Sequence, residues 1–173
     1  IRGLVGSEMC IRDRTKAVPG GQNALLFGWL KTLYPIWSRF GPEEIRISTI
    51  LGLSELALSG CTMSSDHLYL FPNGATLDDT IFAAREVGLR FYPTRGSMSI
   101  GESLGGLPPD SLVEKEQDII NDCVRLIDKF NDTSPASMIR IGLAPCSPFS
   151  VTRELMRDTA VLARDKNCLL YTS

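Results

Sequence analysis

The chain holds one histidine, His67, preceded by Asp66 in the stretch GCTMSSDHLYLFPN at residues 60–73. An imidazole beside a carboxylate can shuttle protons, ligate a metal or orient a loop. Two later stretches share this design: LRFYPTRGSMS at 89–99, with Arg95 and Ser97, and MIRIGLAPCSPFS at 138–150, with Cys146 and Phe149. Each is an apolar run that ends in small and polar residues and leads into a helical pattern. Three strand ends that bring polar groups to one rim are the way an α/β barrel builds a site. Within that frame His67 either reaches the pocket or orients its loop through Asp66. Asp66 itself is a poor candidate for a metal ligand, because no second ligand lies close in sequence. Phe149 can stack on a heteroaromatic ring or pack in the core. Cys146, in an Ala-Pro-Cys-Ser-Pro turn, can simply be packed.

The elements that must position these residues alternate. Residues 24–40 carry Leu25, Leu26, Trp29, Leu30, Leu33, Ile36 and Trp37 near helical spacing, and Pro35 predicts an end or kink near Tyr34. Trp29, Tyr34 and Trp37 could stack on a planar ligand, although packing explains them too. A second helix is predicted over 42–59, with Pro42 in its first turn and Gly60 past its end. A strand follows from Cys61 to about Ser65, with Asp66 and His67 in or after its end. Thr76 caps a helix to Val87, Gly88 stops it, and a second strand runs from Leu89 to about Thr94. So short a crossover gives parallel pairing.

Residues 96–109 form a glycine-rich loop. No Gly-Lys-Ser/Thr follows it, so a lid over a barrel mouth, or a plain surface loop, fits better than a phosphate cradle. Ser111 and Glu114 make a capping-box pattern for a helix over 111–130, with Asp118, Asp122 and Lys129 towards water. A third strand is predicted over 138–144. Thr152 caps a last helix to about Lys166, after which another apolar strand begins. The class is α/β with a parallel sheet; periodicity alone does not separate a barrel from an open doubly wound sheet.

Composition narrows the function classes. At 173 residues the chain is short for a whole eight-stranded barrel of about 250. A net charge of −2 gives no electrostatic case for nucleic acid or an anionic membrane. No apolar run approaches the roughly 18 residues that a bilayer span needs. Five cysteines without a CxxC pair make neither a disulfide framework nor a zinc knuckle, which points to reduced thiols in a cytoplasmic protein. Residues 1–14, IRGLVGSEMCIRDR, and the last residues, 168–173, look foreign to the rest. They resemble translated adapter bases at the edges of fragmentary reading frames in metagenomic data, which makes 15–167 the native stretch; disordered tails are the alternative.

The words ELALSGCTMSSDHLYLFPNG, LRFYPTRGSMSIGESLGGLPPDSLVEKE and APCSPFSVTRELMRD resemble 8-oxoguanine deaminases of the amidohydrolase superfamily and the similar hydroxydechloroatrazine ethylaminohydrolases. TKAVPGGQNALLFGWLKTLYPIW looks like the segment that follows the first barrel strand in that family. The resemblance covers nearly all of 15–167. It implies a partial TIM (β/α) barrel, strands two to four with their helices, truncated at both ends. It also implies a Zn-dependent hydrolase that deaminates an oxidised purine, a small heterocycle, in an assembly that could be homo-oligomeric.

The family's zinc needs an HxH pair on the first strand, a histidine on the fifth and an aspartate on the eighth, with a glutamate as proton shuttle. One histidine cannot be three ligands, so the expectation is that this chain neither holds the zinc nor catalyses deamination. On the same resemblance Cys146 lies where related deaminases place a substrate-contacting histidine. Arg95 and Ser97 end the strand from which a guanidinium could reach a purine carbonyl; an Arg held by a carboxylate for loop structure is the other reading. A triazine-directed hydrolase and a metal-free binding module are the alternative functions.

Overall fold

The computed structural model describes residue 15 and residues 17–171. Residues 1–14 and 172–173, assigned above to foreign ends, lie outside the described residues. Helix α1 spans Leu26–Trp37 and α2 spans Pro42–Leu58. Then follow β1 (Met63–Leu68), α3 (Leu77–Val87), β2 (Arg90–Ser97), α4 (Glu116–Phe130), β3 (Gly142–Pro145), α5 (Arg153–Asp165) and β4 (Leu169–Leu170). The four strands pair in sequential order β1-β2-β3-β4, all parallel. A doubly wound sheet reverses its strand order part-way, whereas a barrel wall does not. This sheet is singly wound, as a stretch of barrel wall must be. Among the described residues no helix is long and apolar enough to cross a membrane.

Strand parity divides the sheet into two faces. Register pairs Ser64 with Phe91, Leu68 with Arg95 and Arg95 with Leu143, so these side chains share one face. That face packs on the helices, and its buried Phe91, Leu143 and Leu68 join Ile81, Ile119 and Leu126 in the core. The opposite face carries Ser65 and His67 from β1, Tyr92, Thr94 and Gly96 from β2, and Gly142 and Ala144 from β3. In a barrel this is the inner face.

Several boundaries differ from the sequence reading, each for a tertiary reason. Helix α1 runs through Pro35 to Trp37. Its last turn is retained because Tyr34 and Trp37 are buried against each other, and the Trp37 indole donates to Thr15 Oγ1 at 3.0 Å. Strand β1 starts later and ends later than predicted, and Asp66 and His67 lie within its end. Strand β2 reaches Ser97 where Thr94 was predicted, and β3 holds only Gly142–Pro145, with Ile139 bridging alone to Phe91.

The capping box of Ser111 and Glu114 does not form. Residues Asp110–Leu112 make a single 3-10 turn, α4 starts at Glu116, and the Glu114 carboxylate goes to Arg95 instead. Asp122, placed towards water above, turns to Arg95 and Arg125. Helix α3 does follow its local signals: Thr76 N–H donates to Asp79 Oδ2 at 2.8 Å, and Gly88 ends the helix at φ 75°. Only glycine adopts that left-handed turn without penalty.

The helices are tied to one another by charge. Asp78 in the first turn of α3 accepts from Arg125 at 2.6 Å and from Lys129 at 2.8 Å, both on α4. Burial works against the Asp78 charge, but these hydrogen bonds and charges outweigh it and hold the carboxyl below its usual range. Unfolded, it titrates near the ordinary value of about 4. The stabilisation is therefore complete at neutral pH and is lost as pH falls through the lower folded value. We expect Asp78→Asn to weaken the fold at pH 7 and to cost progressively less below about pH 4, as read from urea midpoints across that range.

Candidate active-site wall

The inner face is built around His67. Its Nε2 lies 3.1 Å from the carbonyl oxygen of Ala144, two strands away. A carbonyl only accepts, so Nε2 carries the proton. The imidazole reaches β3 because β2 presents Gly96 in between. A Cβ on Gly96 would stand 2.8 Å from His67 Cδ2, 2.5 Å from Tyr69 Cβ and 2.6 Å from the Leu68 carbonyl oxygen. Gly96 thus leaves the ring its room, whereas a Cβ on Gly142 would meet Thr94 Cγ2 at 2.8 Å and Tyr92 Cε1 at 3.3 Å. Tyr69 and Tyr171 flank it, with ring centroids at 5.2 and 5.8 Å.

Strands β2 and β3 continue their pairing past the strand ends, with Cys146 N–H donating to the Ser97 carbonyl at 3.0 Å. Cys146 is half-buried and packs against the core. Tyr34 reaches the same place from α1, with its hydroxyl 3.8 Å from Met98 Sδ. Burial first, and then the neighbouring charge of a Cys146 thiolate, raise the Tyr34 phenol above its ordinary range. Tyr34 was read from sequence as one of several stacking or packing aromatics. Its period within α1 places it on the buried stripe, and only the fold sets that stripe beside Cys146.

Arg95 and Ser97 occupy the other face. The Arg95 guanidinium is 2% exposed and gives paired hydrogen bonds to Glu114 at 2.8 and 2.7 Å, one to Asp122 at 2.9 Å and one to the Gly96 carbonyl at 2.6 Å. Its central carbon lies 4.1 Å from the Phe71 ring centroid. Burial opposes the charge, but Glu114 and Asp122 more than compensate and raise its affinity for the proton. Cys123, packed nearby, has its thiol pushed up to about 12 by burial in spite of the Arg95 charge. The Ser97 side chain is buried, and the residue meets Cys146 through its backbone. Phe149 stays 40% exposed and packs edge-on against Phe27 at 5.3 Å. The structure thus gathers His67 and Cys146 on one side, sets Arg95 and Ser97 behind the sheet, and leaves Phe149 at the surface.

The loop after β2 is held at its root. Ser99 and Ile100 N–H groups both donate to the Ser150 carbonyl, and Glu116 accepts from Ser99 Oγ at 2.9 Å and Thr152 Oγ1 at 2.6 Å. Within the loop, Asp110 Oδ1 accepts from the backbone and hydroxyl of Ser103. Among the described residues no group of three or more His, Cys, Asp or Glu side chains could hold a metal ion. Asp66 is buried on the helix side.

Known proteins share both sequence and fold. No protein-family model matches the chain. It is 47% identical over 152 residues to the 8-oxoguanine deaminase of Pseudomonas aeruginosa, an alignment that takes in 87% of this chain and 34% of that protein. It is 34% identical over 150 residues to the hydroxydechloroatrazine ethylaminohydrolase of Pseudomonas sp. strain ADP, 85% of this chain and 31% of that one. The structure superposes on atrazine chlorohydrolase from Arthrobacter aurescens TC1, complexed with zinc, with a TM-score of 0.87 and 29% identity over 96% of this chain and 39% of the other. The chain spans about a third of the length of the curated relatives it matches. Over that span, sequence and singly wound sheet agree: the chain belongs to the amidohydrolase superfamily.

Proposed function

We propose that this chain forms the second-to-fourth-strand wall of the substrate pocket of a zinc-dependent hydrolytic deaminase whose substrate is an oxidised purine such as 8-oxoguanine. The observation that carries this reading is the inner face itself, where His67 lies across Gly96 against the Ala144 carbonyl, two residues before Cys146, within a chain 47% identical to an 8-oxoguanine deaminase. An inner face with Tyr69 and Tyr171 beside the His67 ring suits a planar heterocycle. On this reading His67 and Cys146 line the pocket and Phe149 stands at its edge. Arg95 and Ser97 serve it from behind, Arg95 by fixing the loop to α4 and Ser97 by holding Cys146. The chain by itself turns over no substrate, because its single histidine cannot supply the family's metal ligands.

A second reading is supported by the fold neighbours, which include triazine hydrolases. It makes the substrate a hydroxylated or chlorinated triazine. A chimera separates the two: residues 15–167 replace the corresponding stretch of the Pseudomonas aeruginosa enzyme, and turnover of 8-oxoguanine and of hydroxylated triazines is measured. Release of ammonia from 8-oxoguanine in preference to triazine turnover is expected. Triazine turnover alone favours the second reading, and a folded chimera inert to both overturns each.

A further inference from the structure

The two loops that leave the sheet at the C-terminal ends of β2 and β3 meet on one oxygen atom. Glu116 Oε1, in the first turn of α4, accepts from Ser99 Oγ at 2.9 Å and from Thr152 Oγ1 at 2.6 Å. Thr152 also caps α5, its Oγ1 accepting from Leu155 N–H at 3.0 Å. A hydroxyl has one proton, and Thr152 gives it to Glu116, so cap and tie use the same atom in opposite senses. Backbone bonds close the join: the Ser150 carbonyl takes the N–H groups of Ser99 and Ile100 at 2.8 and 3.0 Å. The glycine-rich loop is also closed on itself. Glu114 N–H donates to the Met98 carbonyl at 2.9 Å, Glu102 N–H to that of Pro108 at 2.9 Å and Gly106 N–H to that of Gly101 at 2.8 Å.

We infer that Glu116 is a positioning residue that joins the loop after β2, residues 98–115, to the loop after β3, residues 146–152, in one body that opens as a unit. The glycine-rich loop is then not a lid on a hinge of its own, because its root leaves only together with the loop that carries Cys146 and Phe149. Glu116 acts through Ser99 and Thr152 and not on a substrate. The inference deepens the pocket reading in one respect, and rests on it for that alone: a ligand held by either loop would fix the other at the rim. The coupling itself is measured without a ligand. Its failure leaves the pocket reading standing, and a chimera inert to both substrates overturns that reading without touching the coupling.

Amide hydrogen exchange reports the two loops separately. In the full 173-residue chain, labelled with ¹⁵N, the Ser99 and Ile100 amides report the join, and the Leu155 amide reports the Thr152 cap. The Gly88 amide, bonded to the Ala84 carbonyl at the opposite ends of the strands, is the reference, so a general loss of stability divides out. In the wild type the three loop amides should share one opening, with protection equal to within about threefold and the same dependence on urea.

Glu116→Ala should speed exchange at Ser99, Ile100 and Leu155 by about tenfold or more relative to Gly88, the scale of a lost hydrogen bond to a charged group. Glu116→Gln, whose carbonyl oxygen still accepts from both hydroxyls, should keep most of the protection. Separate openings in the wild type, seen as unequal protection or unequal urea dependence, overturn the inference. So does a Glu116→Ala protein in which Ser99 and Ile100 stay protected, or a Glu116→Gln protein that exchanges as fast as Glu116→Ala. Should Glu116→Ala unfold, the wild-type comparison and the protection kept by Glu116→Gln still decide.

Discussion

Arg95→Met is expected to lower the unfolding free energy by about 3–5 kcal/mol, the scale on which breaking a buried charge pair from one side destabilises a protein. The guanidinium is almost wholly enclosed and serves two carboxylates, a backbone carbonyl and the face of Phe71. Removing it takes the cation from Glu114, 28% exposed, and leaves Asp122, 25% exposed, with Arg125 alone. It also detaches the Glu114 side chain from β2, which leaves the Glu114 N–H bond to the Met98 carbonyl to hold the loop before α4. The measurement is urea unfolding, where a slope of about 1–3 kcal/mol/M turns this loss into a midpoint shift of more than about 1 M.

Two comparisons give that result its meaning. The Lys166–Asp128 pair, with side chains 36% and 58% exposed, should cost less than about 1 kcal/mol when Lys166 becomes Met. Arg95→Met combined with Glu114→Gln and Asp122→Asn should recover much of the loss, because no uncompensated charge then stays behind. An Arg95→Met protein as stable as its parent would show that the guanidinium is not needed behind the sheet.

Gly96→Ala is expected to cost about 1–3 kcal/mol or more, the range for forcing an extra carbon into a filled site. The added Cβ would meet the Leu68 carbonyl oxygen at 2.6 Å and Tyr69 Cβ at 2.5 Å. Both belong to the neighbouring chain segment and not to the far end of a flexible side chain, so neither yields without β1 and β2 moving apart. The third neighbour, the His67 ring, can swing, and that motion breaks its bond to Ala144. Gly28→Ala is the matched control. Its Cβ would meet Ala24 Cβ at an ordinary 3.5 Å inside α1, where alanine stabilises a helix by about 1 kcal/mol over glycine. Thermal or urea unfolding of the pair should therefore move in opposite directions. Equal stability of Gly96→Ala and wild type would show that the sheet there is looser than its geometry.

Where signals are local, sequence alone was sufficient. Thr76, Asp79 and Gly88 bound α3 because a capping box and a left-handed stop depend only on residues within a turn of each other. The order of strands and helices, and their parallel pairing, follow from short crossovers of one hand. Where a competing partner lies far away in the chain, local signals failed. Glu114 left its capping box for Arg95 on β2, and Asp122 left water for the same guanidinium, since a buried charge demands partners more strongly than a helix end does. The same tertiary choice settled the faces of the sheet. Position along a strand says that His67 and Thr94 share one side and Arg95 the other, but not which side meets the helices; a one-residue slip inverts the answer. Packing decided that Arg95 is enclosed behind the sheet, and that His67 crosses a bare glycine to a carbonyl 77 residues later. Sequence named the chemistry of the wall, and its orientation came from the register between strands, which no single stretch of residues contains.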